Sequence, residues 1–136
     1  VTGTYDLGKT PWATAISQTS LLNDASSRFN EGLLVNIVDL GANVLYIDAA
    51  YYVNLYTSSP GSYSFDNATT PVCTSVDAGN GIGIGTGQVN SALCTTATLL
   101  PSANQNKYVF ADAVYLTPSA HRQLGDYAYD RLRARW

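Results

Sequence analysis

The sequence is poor in histidine, cysteine and charge, and each shortage argues against a class of function. It contains one histidine, two cysteines, no methionine and only 12% charged residues in 136 positions. Its seven Lys and Arg residues are outnumbered by ten Asp and Glu residues, which gives a formal net charge of −3. Because nucleic-acid binding depends on clustered cations that neutralise phosphates, the composition argues against a nucleic-acid partner.

Long apolar runs are absent too. No segment approaches the roughly 18 apolar residues that a membrane-spanning helix needs. The first residues lack a basic stretch followed by an apolar core, so no signal peptide is predicted and we expect Val1 to lie inside a longer gene product. The length and the 46% hydrophobic content predict a single globular domain over residues 1–136.

The two cysteines, Cys73 and Cys94, lie in a polar, glycine-rich segment that contains no histidine. Because no third or fourth ligand is nearby, a zinc site is not expected, and the alternatives are a disulfide or two free thiols. We favour the disulfide, which would close a loop of about 20 residues and contribute on the order of 3 kcal/mol. Such a crosslink implies an oxidising compartment: the protein would be secreted, periplasmic or on the cell surface.

Hydrophobic periodicity predicts three helices. Apolar residues recur at three- and four-residue steps from about Ser17, which predicts a helix packed against the core and stopped by Gly41. A shorter helix is predicted over residues 49–56. A third begins after Thr117, which can cap it with Pro118 at the first position. The two long stripes consist of Leu22, Ala25, Phe29, Leu33 and Ile37, and of Ala120, Leu124, Ala128 and Leu132.

Two short apolar runs, residues 43–48 and 107–111, are typical of strands buried in a parallel sheet. Strands that alternate with helices predict an α/β fold, a sandwich with a mainly parallel sheet. Because only two or three strands can be found, we expect the chain to form part of a domain whose sheet edges are open to another chain.

Several short motifs, taken in order, resemble the second half of the SGNH/GDSL serine-hydrolase family, especially the bacterial outer-membrane autotransporter esterases. In the last block of that family an Asp is followed three residues later by the catalytic His, and then by Leu-Thr or Pro-Thr and a helix. This chain has Asp112, then Tyr115 at the His position, then Leu116-Thr117. The other matching segments are Asp6-Leu7-Gly8-Lys9-Thr10-Pro11, Phe29-Asn30, Gly41-Ala42-Asn43-Val44, the cysteine pair, and Leu124-Gly125-Asp126-Tyr127-Ala128-Tyr129.

The resemblance implies an α/β fold with a parallel-sheet sandwich of SGNH-hydrolase type, of which this chain is the C-terminal portion only. It implies hydrolysis of carboxylic esters through a Ser-His-Asp acyl-enzyme, without a metal or cofactor. The Gly-Asp-Ser motif and the Gly and Asn blocks of the oxyanion hole are absent from this sequence. An N-terminal part of the same hydrolase would have to supply the serine, and the only membrane link implied is an outer-membrane barrel beyond Trp136.

Three residues carry the predicted chemistry, and each has a structural alternative. Asp112 matches the catalytic Asp, or it simply accepts local backbone N–H groups. Tyr115 replaces the usual base, and a phenol is a poor general base near neutral pH. His121, the only histidine, either takes over as base or is an ordinary helix residue. The function expected is therefore part of an esterase or lipase that is inactive alone; the alternative is a non-catalytic remnant that serves as a binding or assembly module, associating with itself through sheet edges.

Overall fold

Four α-helices and six short 3₁₀ helices make up the regular structure of the chain, and a computed structural model describes all 136 residues. The α-helices are α1 (Pro11–Ala15), α2 (Thr19–Ile37), α3 (Ala49–Ser58) and α4 (Pro118–Arg135). The 3₁₀ helices are Leu7–Lys9, Val38–Asn43, Pro60–Tyr63, Ser91–Leu93, Thr96–Thr98 and Gln105–Lys107. Between α3 and α4 the chain forms only short 3₁₀ helices, turns and isolated bridges.

The predicted α/β fold with a parallel-sheet sandwich is wrong, because the structure contains no β-strand and no sheet. Backbone pairing is limited to five isolated bridges, two of them parallel: Thr2 with Ile47, and Asn67 with Tyr108. Residues 43–48 and 107–111 therefore do not form strands, and the predicted self-association through sheet edges has no sheet to use.

Side chains end the parallel pairing near Ile47 after one step. Gly3 N–H donates to the carbonyl of Ile47 at 3.4 Å, and Ile47 N–H donates to that of Val1 at 2.9 Å. At the next position, however, the side chain of Asn30 bonds both backbone groups of Thr4, at 2.9 and 2.8 Å. On the other segment, Asp48 already caps α3 by accepting from Tyr51 N–H. Because these side-chain bonds occupy the next backbone groups, the backbone pairing stops after one bridge and no sheet forms.

The helix α2 forms where it was predicted, and Gly41 follows it with a positive φ of 52°. The prediction that its apolar stripe packs against the core is wrong. Its two buried residues are polar, Ser26 and Asn30, whereas Phe29 is 59% exposed. Ser26 accepts a hydrogen bond from Leu7 N–H at 3.0 Å, so α2 turns its polar side inward to satisfy the backbone of residues 4–7.

The start of α4 agrees with the sequence prediction. Thr117 Oγ1 accepts from Ala120 N–H at 3.3 Å, and Pro118 occupies the first helical position. Ala120 is fully buried, but the predicted stripe does not stay buried along the helix, because Leu132 is 48% exposed. Ala120, in the first turn, is the only residue of α4 in the buried core, and Tyr127 further along stacks on Tyr52 of α3.

The core is small and lies between α3, the first turn of α4 and the loop that connects them. Its eight buried members are Val53, Tyr56, Phe65, Ala68, Val109, Phe110, Leu116 and Ala120. Aromatic edges meet faces within it: the Tyr56 ring centroid lies 5.1 Å from that of Tyr63 and 5.5 Å from that of Phe65. The aromatic residues of α3 thus pack in or beside the core, except Tyr51, which is exposed.

The hydroxyl of Tyr56 is buried without a hydrogen-bond partner, and burial raises its pKa to about 12. An unsatisfied buried hydroxyl costs about 1–3 kcal/mol. We therefore expect Tyr56→Phe to raise the free energy of unfolding by about 1 kcal/mol, because the ring contacts remain and the orphan hydroxyl is removed. Urea unfolding measures the change, with Tyr51→Phe as the exposed control. A loss of stability in Tyr56→Phe alone would mean that the hydroxyl has a partner in solution.

Candidate functional site

The candidate site is built around Asp112, which is fully buried in the turn before α4. Its carboxylate accepts three backbone hydrogen bonds. Oδ1 accepts from Val114 N–H at 2.9 Å and from Tyr115 N–H at 2.7 Å, and Oδ2 accepts from Ser91 N–H at 2.9 Å. Hydrogen bonds to a charged acceptor are stronger than neutral ones, so this carboxylate fixes the geometry of the turn.

The turn from Asp112 to Tyr115 is held from outside as well. Ala111 N–H donates to the carbonyl of Tyr115 at 2.8 Å, and Phe110 pairs with Leu116 in an antiparallel bridge. Trp12 N–H, at the start of α1, donates to the carbonyl of Ala113 at 2.9 Å. The segment between the core and α4 is therefore a closed and well-braced loop.

Tyr115 follows Asp112 at the predicted spacing, but the contact between them is made by the backbone of Tyr115. The side chain is 48% exposed, while its N–H bonds the carboxylate. The side chain at position 115 is therefore partly open to solvent, and its backbone is fixed next to the carboxylate of Asp112. The structure brings these two predicted residues together.

His121 is not brought to the carboxylate. It lies on the exposed part of the first turns of α4, and its backbone N–H donates to the carbonyl of Thr117 at 2.9 Å. All three hydrogen bonds to Asp112 come from backbone N–H groups, so no imidazole is bonded to the carboxylate. The hydrogen bonds of Asp112 are those expected of its structural role, and the catalytic roles of Asp112 and His121 stay predictions.

The side chain of His121 instead lines a cavity of about 430 Å³ between α4 and the disulfide-closed segment. Ser91, whose N–H donates to Asp112, also lines this cavity. The cavity combines hydroxyl and amide groups with an apolar part. Its lining consists of Val72, Cys73, Ser91, Cys94, Thr95, Thr96, Gln105, Ala111, Leu116, Thr117, Pro118 and His121.

The predicted disulfide between Cys73 and Cys94 is confirmed, with the two Cα atoms 5.8 Å apart. It closes a segment in which Ser75 and Asn90 bond each other twice, through Asn90 N–H at 2.8 Å and Ser75 Oγ at 2.9 Å. Cys73 N–H donates to the carbonyl of Ala111 at 2.9 Å, directly before Asp112. The disulfide therefore holds the loop that delivers Ser91 to the carboxylate.

Two contributors to the site, Tyr5 and Ser91, were not predicted from the sequence. The hydroxyl of Tyr5 donates to the carbonyl of Val114 at 2.7 Å, across 109 residues of chain. Burial raises the pKa of Tyr5 to about 12, with further contributions from the nearby Asp112 and Tyr115. No local sequence pattern predicts a contact between residues so far apart along the chain. For Ser91, its position three residues before Cys94 was the only available signal.

The raised pKa of Tyr5 makes stability depend on pH above about 10. The unfolded phenol ionises at its ordinary value of 10.0, whereas the folded one keeps its proton up to about 12. Between these values the unfolded chain binds fewer protons, so the stability that is present below pH 10 is lost as the pH rises. We expect the free energy of unfolding to fall between about pH 10 and about pH 12, and to fall less in Tyr5→Phe. Tyr129→Phe, at an exposed position, is the control. If the free energy of unfolding falls as much in Tyr5→Phe as in the wild type, the pH dependence does not come from Tyr5.

No group of three or more His, Cys, Asp or Glu side chains is placed to bind a metal ion. None of the helices combines the length and the apolar character needed to cross a bilayer. The disulfide in so small a chain is compatible with an extracellular location.

The sequence matches no protein-family model and no curated protein. The resemblance to SGNH/GDSL hydrolases therefore rests on the sequence motifs alone.

Proposed function

We propose that this chain is part of a carboxylic ester hydrolase, as its resemblance to SGNH/GDSL motifs implies, and contributes Asp112 to an active site whose serine lies on another segment. The supporting observation is the turn in which Oδ1 of the buried Asp112 accepts from Tyr115 N–H at 2.7 Å. A carboxylate fixed in this way is ready to orient a base at position 115. This role requires the turn at Asp112 and does not require a sheet.

In the complete site, the serine oxygen would form a bond to the ester carbonyl carbon while the base takes the serine proton. The base then gives that proton to the leaving alcohol, and water releases the acid from the acyl-enzyme. The part assigned to this chain is the carboxylate, which stabilises the protonated base. With Tyr115 in place of His and no Gly-Asp-Ser serine, we expect the chain alone to be inactive. A secreted, periplasmic or bacterial cell-surface location fits the disulfide.

The test is the ester hydrolysis of this chain in complex with the polypeptide that carries the serine, identified by a serine-reactive fluorophosphonate. Restoring the base by Tyr115→His is expected to raise the rate by about 100-fold, the lower end of what a positioned base contributes. Tyr129→His is the matched control, because Tyr129 is 57% exposed against 48% for Tyr115 and lies on α4, and it is expected to change nothing. Failure to find a serine-reactive polypeptide, or an unchanged rate in Tyr115→His, would contradict the proposal.

A second candidate function, a non-catalytic assembly module, is favoured by the exposed apolar surface of α2 and α4. Phe29 and Val35 on α2 are 59% and 72% exposed, and Trp136 after α4 is 67% exposed. Contiguous apolar patches mark interaction sites, and these side chains are the candidates for such a patch here. A denaturing intact-mass spectrum separates the two candidates, because a single species at 14.5 kDa favours the module and a serine-bearing companion favours the hydrolase.

A further inference from the structure

The glycine-rich part of the disulfide-closed segment contains an asparagine, Asn80, that is followed directly by Gly81. Both residues are exposed, and a tight turn begins there, because Gly83 N–H donates to the carbonyl of Asn80 at 3.1 Å. Asn80 is the only asparagine of the chain that precedes a glycine. The order matters because the backbone nitrogen of the next residue can attack an asparagine side chain, and glycine, which has no Cβ, hinders that attack least.

The nucleophile of such an attack, the backbone nitrogen of Gly81, is free, because its N–H donates no hydrogen bond. Its attack on Asn80 Cγ closes a five-membered ring, so covalent geometry alone keeps the two atoms within reach of each other. Residue 81 has to be glycine, because a methyl group there would collide with the side chains of Asp77 and Asn90. Those side chains are held in place by their own hydrogen bond of 2.9 Å. The packing of the loop therefore preserves the Asn-Gly pair.

The electrophile is the side-chain amide of Asn80, and the fold polarises it. Asn80 Oδ1 accepts a hydrogen bond from Gly85 N–H at 2.7 Å. Negative charge develops on this oxygen when a nucleophile adds to Cγ, so Gly85 N–H is a preorganised donor for that charge. Gly85 has a φ of 125°, which favours glycine, so the donor also depends on a residue without a side chain. One glycine thus supplies the nucleophile and another stabilises the oxygen that it charges.

We propose that Asn80-Gly81 is a self-modification site, at which the folded chain converts Asn80 into aspartate and isoaspartate with water as the only co-reactant. The nitrogen of Gly81 forms a bond to Asn80 Cγ, the bond from Cγ to Nδ2 breaks, and the proton of Gly81 N–H leaves with Nδ2 as ammonia. Water then opens the cyclic imide. Cleavage of the bond between Cγ and nitrogen gives aspartate, and cleavage of the main-chain bond between carbon and nitrogen gives isoaspartate. The reaction needs no serine and no ester, so it is independent of the proposed hydrolysis.

The test is incubation of the purified, disulfide-bonded chain at neutral pH, followed by peptide mass spectrometry. The expected signal is the loss of ammonia and then the gain of water at Asn80. The same chain unfolded in guanidinium chloride keeps the Asn-Gly pair but loses the Gly85 donor. We expect the folded chain to react at least about tenfold faster, because one preorganised donor to a developing oxyanion contributes about 100- to 1,000-fold in enzymes. A folded chain that reacts no faster than the unfolded one would overturn the proposal.

Asn80→Gln is the matched variant, because its longer side chain would have to close a six-membered ring, and we expect no modification at residue 80 over the same time. Asn106 is the control within the wild-type chain. It is exposed like Asn80, but the next residue, Lys107, carries a side chain, and its N–H already donates to the carbonyl of Asn104 at 2.9 Å. We expect Asn106 to stay unchanged. Loss of ammonia from Asn80→Gln at the wild-type rate, or from Asn106 as fast as from Asn80, would contradict the assignment of the site.

Discussion

Replacing Cys73 and Cys94 together by alanine is expected to lower the free energy of unfolding by about 3 kcal/mol. The two residues are 21 positions apart, and the crosslink reduces the conformational freedom of the unfolded chain. Little apolar burial adds to the crosslink in the segment between them, since Ser75 and Asn90 are its only buried residues. Guanidinium unfolding of the variant and of the oxidised wild type measures the difference.

The same replacement should loosen the turn at Asp112, because the disulfide holds the loop that carries Ser91. Hydrogen exchange of Ser91 N–H, which donates to Asp112, is expected to speed up more than that of Val114 N–H. Thr86→Ala, at an exposed position inside the same segment, is the matched control and should change neither quantity. A loss below about 1 kcal/mol would show that the loop is held by its other hydrogen bonds instead.

Local signals in the sequence predicted the elements that depend on local chemistry. The cap formed by Thr117 and the proline after it fixed the start of α4, and Gly41 marked the end of the helical stretch. The cysteine pair was predicted from the lack of other metal ligands nearby. The helix cap and the glycine act within a few residues of themselves. The two cysteines have only each other as partners.

The sheet and the burial of α2 could not be predicted, because both are decided between distant segments. The apolar stripe of α2 predicted an inward apolar face, yet Asn30 and Ser26 face inward to bond the backbone of residues 4–7. The bonds of Asn30 to Thr4 also end the parallel pairing beside Ile47, so the side chain that turns α2 inward also limits one of the two expected strands. A sequence pattern records apolar character and says nothing about which backbone groups need partners.

The candidate site was predicted in part. The spacing of Asp112 and Tyr115 predicted two neighbouring residues at a turn before a helix, and the structure has them there. His121, Tyr5 and Ser91 depend on how α4, the N-terminal loop and the disulfide loop meet, and only contacts between distant segments decide that. A structural role and a catalytic role for Asp112 are two hypotheses, and variants of Asp112 test them through folding stability and ester hydrolysis.

Replacing Asp112 by alanine is expected to cost about 4 kcal/mol of folding free energy. The change leaves three backbone N–H groups without their acceptor, those of Ser91, Val114 and Tyr115. Each buried N–H that loses its partner costs about 1–3 kcal/mol, and the three costs are coupled because one turn carries them. Chemical unfolding measures the loss, and Asp66→Ala, an exposed acid, is the matched control.

Asp112→Asn separates the structural role from the catalytic one, because its amide oxygen can still accept from Val114 and Tyr115 N–H. The amide nitrogen would then face Ser91 N–H, donor against donor, so we expect a smaller loss of about 2 kcal/mol. A folded Asp112→Asn variant that loses ester hydrolysis in the complex would assign the carboxylate a catalytic role beyond bracing the turn. Wild-type stability in both variants would mean that the three N–H groups find other acceptors, and the bracing role would then be wrong.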